Sequence, residues 1–106
     1  MIRNISGLAE FNEAKMGKVQ LAAGQHLYAG MNCFLPGQEH AAHVHPDQDK
    51  LYYILAGTAL AEVDGSVTEV FAGDLVLAPA GVPHGLKNPG PEPLSVLVIF
   101  GPPPRR

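Results

Sequence analysis

Glycine and proline cut this chain into pieces too short for most folds. Its 106 residues hold 12 Gly and 10 Pro, and few stretches between them exceed the length of a strand. Those stretches are rich in Val, Leu, Ile, Tyr and Phe, side chains that fit a pleated, half-buried surface. Short apolar runs at regular spacing, each bounded by turn residues, predict an all-β sandwich or small barrel. Residues 18–22 and 26–35 read as extended, with a break at Ala23-Gly24 and an end at Pro36-Gly37. Runs at 41–45 and 50–56 follow. The clearest local signal is Asp64-Gly65 between TALAEV and SVTEVF, a two-residue hairpin turn in which Gly supplies positive φ. DLVLAP, HGLKN and LSVLVIF bring the total to eight or nine strands. Helix is scarce: only residues 7–16, with Leu8, Phe11 and Lys15 at rough helical spacing, suggest one short turn.

The length predicts one domain, which buries roughly 65% of its unfolded surface. It divides into an N-terminal extension (1–17), a barrel (18–101) and a Pro/Arg tail (102–106), whose prolines lack the N–H that a sheet ladder needs. Net charge is −3 and no basic block interrupts the chain. That disfavours nucleic acid, because neutralising phosphates takes clustered Lys and Arg. The longest apolar stretch, Leu94 to Phe100, is too short to cross a bilayer as a helix. A single cysteine, Cys33, rules out an internal disulfide and fits a reducing compartment. With no signal-peptide pattern at the start, the expected location is cytoplasmic.

The stretch that carries chemistry is HAAHVHPDQDK, residues 40–50. Alternate residues on a strand share a face, so His43 and His45 stand side by side if extended. A third imidazole must come from elsewhere, and His84, after the turn PAGVP, is the best candidate. Three neutral imidazoles suit one divalent transition metal, with Fe, Mn, Zn, Ni and Cu all compatible. Such a set leaves positions open, as catalytic sites do. His40, three residues before His43, falls on the opposite face by alternation and reads as surface or dimer contact. His26 reads as structural, and Cys33 as a small buried hydrophobe. Met31, Phe34 and Leu35 read as core.

Two stretches resemble the signature motifs of the cupin superfamily. The first runs Gly37, five residues, His43-x-His45, an acid position, six residues, Gly57; it matches at four of five fixed positions. The second, Gly73-DLVLA-Pro79-x-Gly81-x-x-His84-x-x-x-Asn88, matches at all five. The resemblance covers residues 37–88 and implies an antiparallel jelly-roll barrel with a metal in its mouth. It is specific for fold and far less so for activity. Its glycines fall at turns, and Asn88 is expected to cap one.

The departure from the pattern lies at the acid position. Most metal-binding cupins carry a Glu there as a fourth ligand, but this chain has Lys50, which has no lone pair when protonated. Asp49 takes the place only if a one-residue bulge turns it inward, and Gln48 only through its carbonyl oxygen. Without a carboxylate the metal keeps its full charge and attracts an anionic or chelating small molecule, an attraction that an inward Lys50 strengthens. Tyr52 shares the parity of Lys50 and is the second candidate to touch substrate. Cupins with three His ligands include dioxygenases that use ferrous iron, and this chain resembles them in ligand set. The leading expectation is a small dioxygenase-like metalloenzyme. The alternatives are a non-catalytic metal- or ligand-binding module, and a metal-free isomerase or lyase using His and Lys50 as acid and base. Unpaired sheet edges, and the habit of small cupins, further predict a homodimer.

Overall fold

A computed structural model of the chain describes residues 1–103. Nine strands run in order: β1 (Gly17–Ala23), β2 (Tyr28–Phe34), β3 (Glu39–His43), β4 (Asp49–Ala56), β5 (Thr58–Val63), β6 (Ser66–Phe71), β7 (Leu75–Ala78), β8 (His84–Lys87) and β9 (Leu94–Gly101). They form two antiparallel sheets, ordered β1-β2-β9-β4-β7 and β3-β8-β5-β6. This is the all-β jelly roll expected from the sequence. Every predicted run became a strand, within a few residues at each end. The N-terminal helical turn is a single 3-10 turn at Ile5–Leu8, and it falls before most of the stretch 7–16. No helix among the described residues is long and apolar enough to cross a membrane.

The turns follow from their residues. Asp64 and Gly65 both take positive φ (53° and 82°), the geometry of a tight hairpin, and Val63 pairs with Ser66 across it. Gly57 shows why its position needs glycine. Its φ is +89°, and a Cβ there would come within 2.5 Å of the Pro93 carbonyl oxygen. Asn88 acts as a turn cap. It is fully buried, donates to the carbonyls of Phe34 and Glu92, and accepts from the Gly90 N–H.

The sheets face each other across a core whose character changes along the strands. On β4 the inward side chains run Ile54, Tyr52, Lys50, and on β9 they run Val96, Val98, Phe100. At the floor, Phe34, Ile54, Leu94, Val96 and Ala59 are sealed from solvent. At the other end the strands β3 and β8 bring histidines to the rim.

Candidate metal centre

His43 and His84 are directly opposed residues of β3 and β8, so the sheet register sets their imidazoles side by side, with ring centroids 4.4 Å apart. His45 lies just past the end of β3 rather than on it. It reaches the pair from the loop, with its ring 4.7 Å from His43 and 5.5 Å from His84. One ligand atom from each of the three falls within 4.8 Å of the others. The triad expected from the motif is therefore assembled and positioned to hold a metal, although strand alternation was only half the reason.

The hydrogen bonds prepare two of the rings. Nδ1 of His43 lies 2.9 Å from the Ala41 carbonyl, and Nδ1 of His84 lies 2.9 Å from the Val82 carbonyl. A carbonyl only accepts, so each Nδ1 carries the proton and each Nε2 keeps its lone pair. Both Nε2 atoms are buried with no hydrogen-bond partner among the described residues. Buried lone pairs are seldom left idle, and here they converge. Burial holds the His84 and His45 rings below the usual histidine pKa, and the neighbouring His43 adds to the effect. Neutral imidazole is the form that ligates.

Lys50 points inward. It is only 6% exposed, and its Nζ lies 5.2 Å from the Tyr52 ring centroid and 5.8 Å from that of Phe100. Burial, reinforced by repulsion from Lys18, lowers its pKa to about 8. The pairing of β4 with β9 is regular from Asp49↔Gly101 to Ile54↔Val96, so no bulge exchanges the two neighbours. Asp49 consequently faces out, where its Oδ1 accepts from the Ala80 N–H at 2.8 Å. Gln48 lines the cavity beside the triad, but its Nε2 donates to the Pro102 carbonyl. Tyr52 lies one layer below, 1% exposed, and lines neither that cavity nor its neighbour. It sits two residues further from the rim than Lys50, with its ring centroid 6.1 Å from that of His84. Its hydroxyl has no partner among the described residues, and burial raises its pKa.

The expectation for His40 is overturned. Between His40 and His43 the register of β3 against β8 slips: His40 pairs with Leu86, and His43 with His84. Three steps on β3 thus match two on β8, which is a bulge, and it reverses the parity. His40 turns inward, half-buried, with its ring stacked 4.2 Å from that of His43. Its Nδ1 is buried without a partner among the described residues, and desolvation lowers its pKa to about 4. Gly85 permits this. A Cβ there would come within 2.7 Å of the His40 carbonyl oxygen and 2.8 Å of the Ala42 nitrogen. The glycine inside HGLK was the available sequence signal, since a strand glycine often marks a bulge or a close backbone approach.

His43 and His45 of the triad open into a cavity of about 480 Å³, lined also by Lys18, His40, Lys50, Phe100, Pro46, Pro102 and Pro103. A double-sheet β-barrel with converging imidazoles and an open apolar-walled mouth defines the class, a barrel with three histidines placed where they could hold a metal. The chain belongs to the cupin family: the cupin domain matches residues 30–100. TT1209 from Thermus thermophilus, a solved structure, is similar over 97% of this chain and 98% of its own, at 34% identity and a TM-score of 0.93. The chain is 30% identical over 84 residues to a gentisate 1,2-dioxygenase of Ralstonia sp, covering 79% of this chain but 24% of that protein. It is also 30% identical over 65 residues to an oxalate-binding protein of Thermotoga maritima, covering 61% of this chain and 54% of that protein. The match spans about half the length of several curated relatives, the oxalate-binding protein among them, and about a quarter or less of others, the dioxygenase among them.

Proposed function

We propose that this cupin holds one divalent transition metal, preferably iron, between His43, His45 and His84, and acts on a small anionic or chelating compound in a dioxygenase-like reaction. The supporting observation is the pair of buried Nε2 lone pairs on His43 and His84, each fixed by a carbonyl at its Nδ1 and converging with His45. When bound, the metal supplies Lewis acidity and, as iron, redox chemistry with dioxygen. The chain itself does the rest. The Ala41 and Val82 carbonyls keep the rings in the ligating tautomer. Lys50 draws an anionic ligand inward, and Phe100 with the three prolines shields it from water. The relatives named for gentisate and oxalate support an oxygen-rich, acidic ligand. A homodimer remains part of the proposal.

The lysine at the acid position favours a second reading, a binding module without turnover, because the one carboxylate lining the cavity among the described residues, Asp47, is exposed and lies outside the cluster of ligand atoms. Metal analysis of untagged protein beside His43→Ala tests the centre, followed by oxygen uptake with gentisate and by oxalate titration. Near-stoichiometric iron that is lost in the variant, with oxygen uptake, is the expected result. Iron and oxalate binding without oxygen uptake would select the binding module. Protein that takes up no metal after reconstitution overturns both readings.

A further inference from the structure

Beside the cavity lined by His43 and His45 lies a second, smaller chamber of about 220 Å³. Lys18, His40, Lys50 and Phe100 line both chambers and so form the passage between them. Lys18 of β1 and Asn32 of β2 are directly opposed residues, which puts them on one face of the sheet. Lys50 is brought to the same chamber from β4, and Phe100, its partner on β9, lies beside it. Lys18 is exposed at the opening, whereas Asn32 and Lys50 are buried.

The charge is lopsided. Among the described residues lining the smaller chamber there are two lysines and no acid. The outer cavity adds one carboxylate, Asp47, which is exposed. Burying an ammonium costs several kcal/mol unless something compensates it. The rings of Tyr52 and Phe100, both more than 5 Å from Nζ, return only part of that. A second lysine nearby makes matters worse. A fold that retains this arrangement is balanced when an anion occupies the chamber.

We infer that this chamber is an anion-binding subsite for the far carboxylate of a small dicarboxylic acid whose near end reaches the three-histidine centre, with Lys50 and Lys18 as its cations and Asn32 as its neutral donor. The assignment of the near end rests on the metal reading above; the chamber itself does not. Val98 and Phe100 give the passage an apolar side suited to a short methylene spacer. Two cations acting together at a partly desolvated site discriminate strongly against a neutral end group. His40, stacked on His43, forms part of the partition and keeps the two ends of the ligand apart.

Calorimetric titration of zinc-loaded protein tests this, zinc being chosen because it binds chelators without redox turnover. The probes are 2-oxoglutarate against 2-oxopentanoate, and 2-oxoadipate against 2-oxohexanoate. Each pair shares one chelating end and differs in a distal carboxylate or methyl group. At least one diacid should bind about tenfold or more tightly than its monoacid. That preference should fall towards unity in Lys18→Met/Lys50→Met, and in Lys18→Met/Lys50→Gln should Met not fold, with each diacid losing more affinity than its monoacid. Equal binding within both pairs, or a preference that survives loss of both lysines, overturns the inference. His43→Ala separates the two readings. If the metal reading is right, all four probes weaken in it. If they do not weaken and the lysine-dependent preference stays, the metal reading fails and the chamber stands.

Discussion

The two ends of β4 differ in chemistry. Around Ile54 the inward neighbours are Phe34, Leu94, Val96 and Ala59, all apolar and all sealed from solvent. Around Lys50, two residues past Tyr52, the barrel gathers a buried ammonium, four imidazoles and several polar atoms with no partner among the described residues. The floor obeys every rule of a stable core, and the mouth breaks several of them. Such local violations are expected where a protein binds something that it does not itself contain. The floor should therefore set stability with no effect on the metal site, and the mouth should set binding at a cost to stability.

Phe34→Ala strikes the floor and should have the largest effect. Phe34 is fully buried among apolar neighbours, and truncating such a ring typically costs about 3–5 kcal/mol. Chemical denaturation of the metal-free protein should show that loss. At temperatures where the variant stays folded, zinc affinity should match the wild type. A variant that lost metal affinity while folded would mean that floor and mouth are one cooperative unit.

Lys50→Met strikes the mouth and should move stability the other way. The fold lowers the Lys50 pKa to about 8 from its ordinary 10.5. A lysine with a lowered folded pKa is a burden in its charged form. The burden is complete below about pH 8 and is relieved as pH rises towards 10.5, because the unfolded chain then binds more protons than the folded one. The metal-free variant should thus be more stable than wild type at pH 7, by on the order of 1–3 kcal/mol. The gap should shrink steadily across that window. A variant less stable at pH 7 would mean that Lys50 has a partner in the fold.

The sequence was most legible where a residue type meets a local backbone demand. Asp64-Gly65 and Gly57 sit where positive φ is required, and Asn88 caps the turn it was expected to cap. The histidine triad was legible through motif spacing. What escaped was whatever depends on register. Parity counting put His40 outside, because no count anticipates the extra residue that β3 carries against β8. Lys18 carried no signal at all, since its place at the mouth depends on how β1 aligns with β2, a pairing between segments that the local pattern does not fix. Lys50 and Asp49 were separable only by knowing that β4 runs without a bulge between Asp49 and Ile54.

Asp49→Ala should give the smallest effect and the cleanest boundary between mouth and surface. Asp49 precedes the most buried lysine of the site, yet alternation sends it outward, where its Oδ1 accepts one backbone hydrogen bond from Ala80. Losing an exposed bond of this kind costs about 0.5–1.5 kcal/mol. The Ala80 N–H it served turns to solvent, so the loss should fall at the low end. Zinc affinity, measured by competition with a chromogenic chelator, should not change. A fall of tenfold or more would show that the carboxylate swings inward once a metal is present, trading its bond to Ala80 for the cluster. That result would restore a fourth protein ligand and reduce the uncompensated charge at the centre. It would also weaken the case that the two lysines must meet a ligand bringing its own second anion.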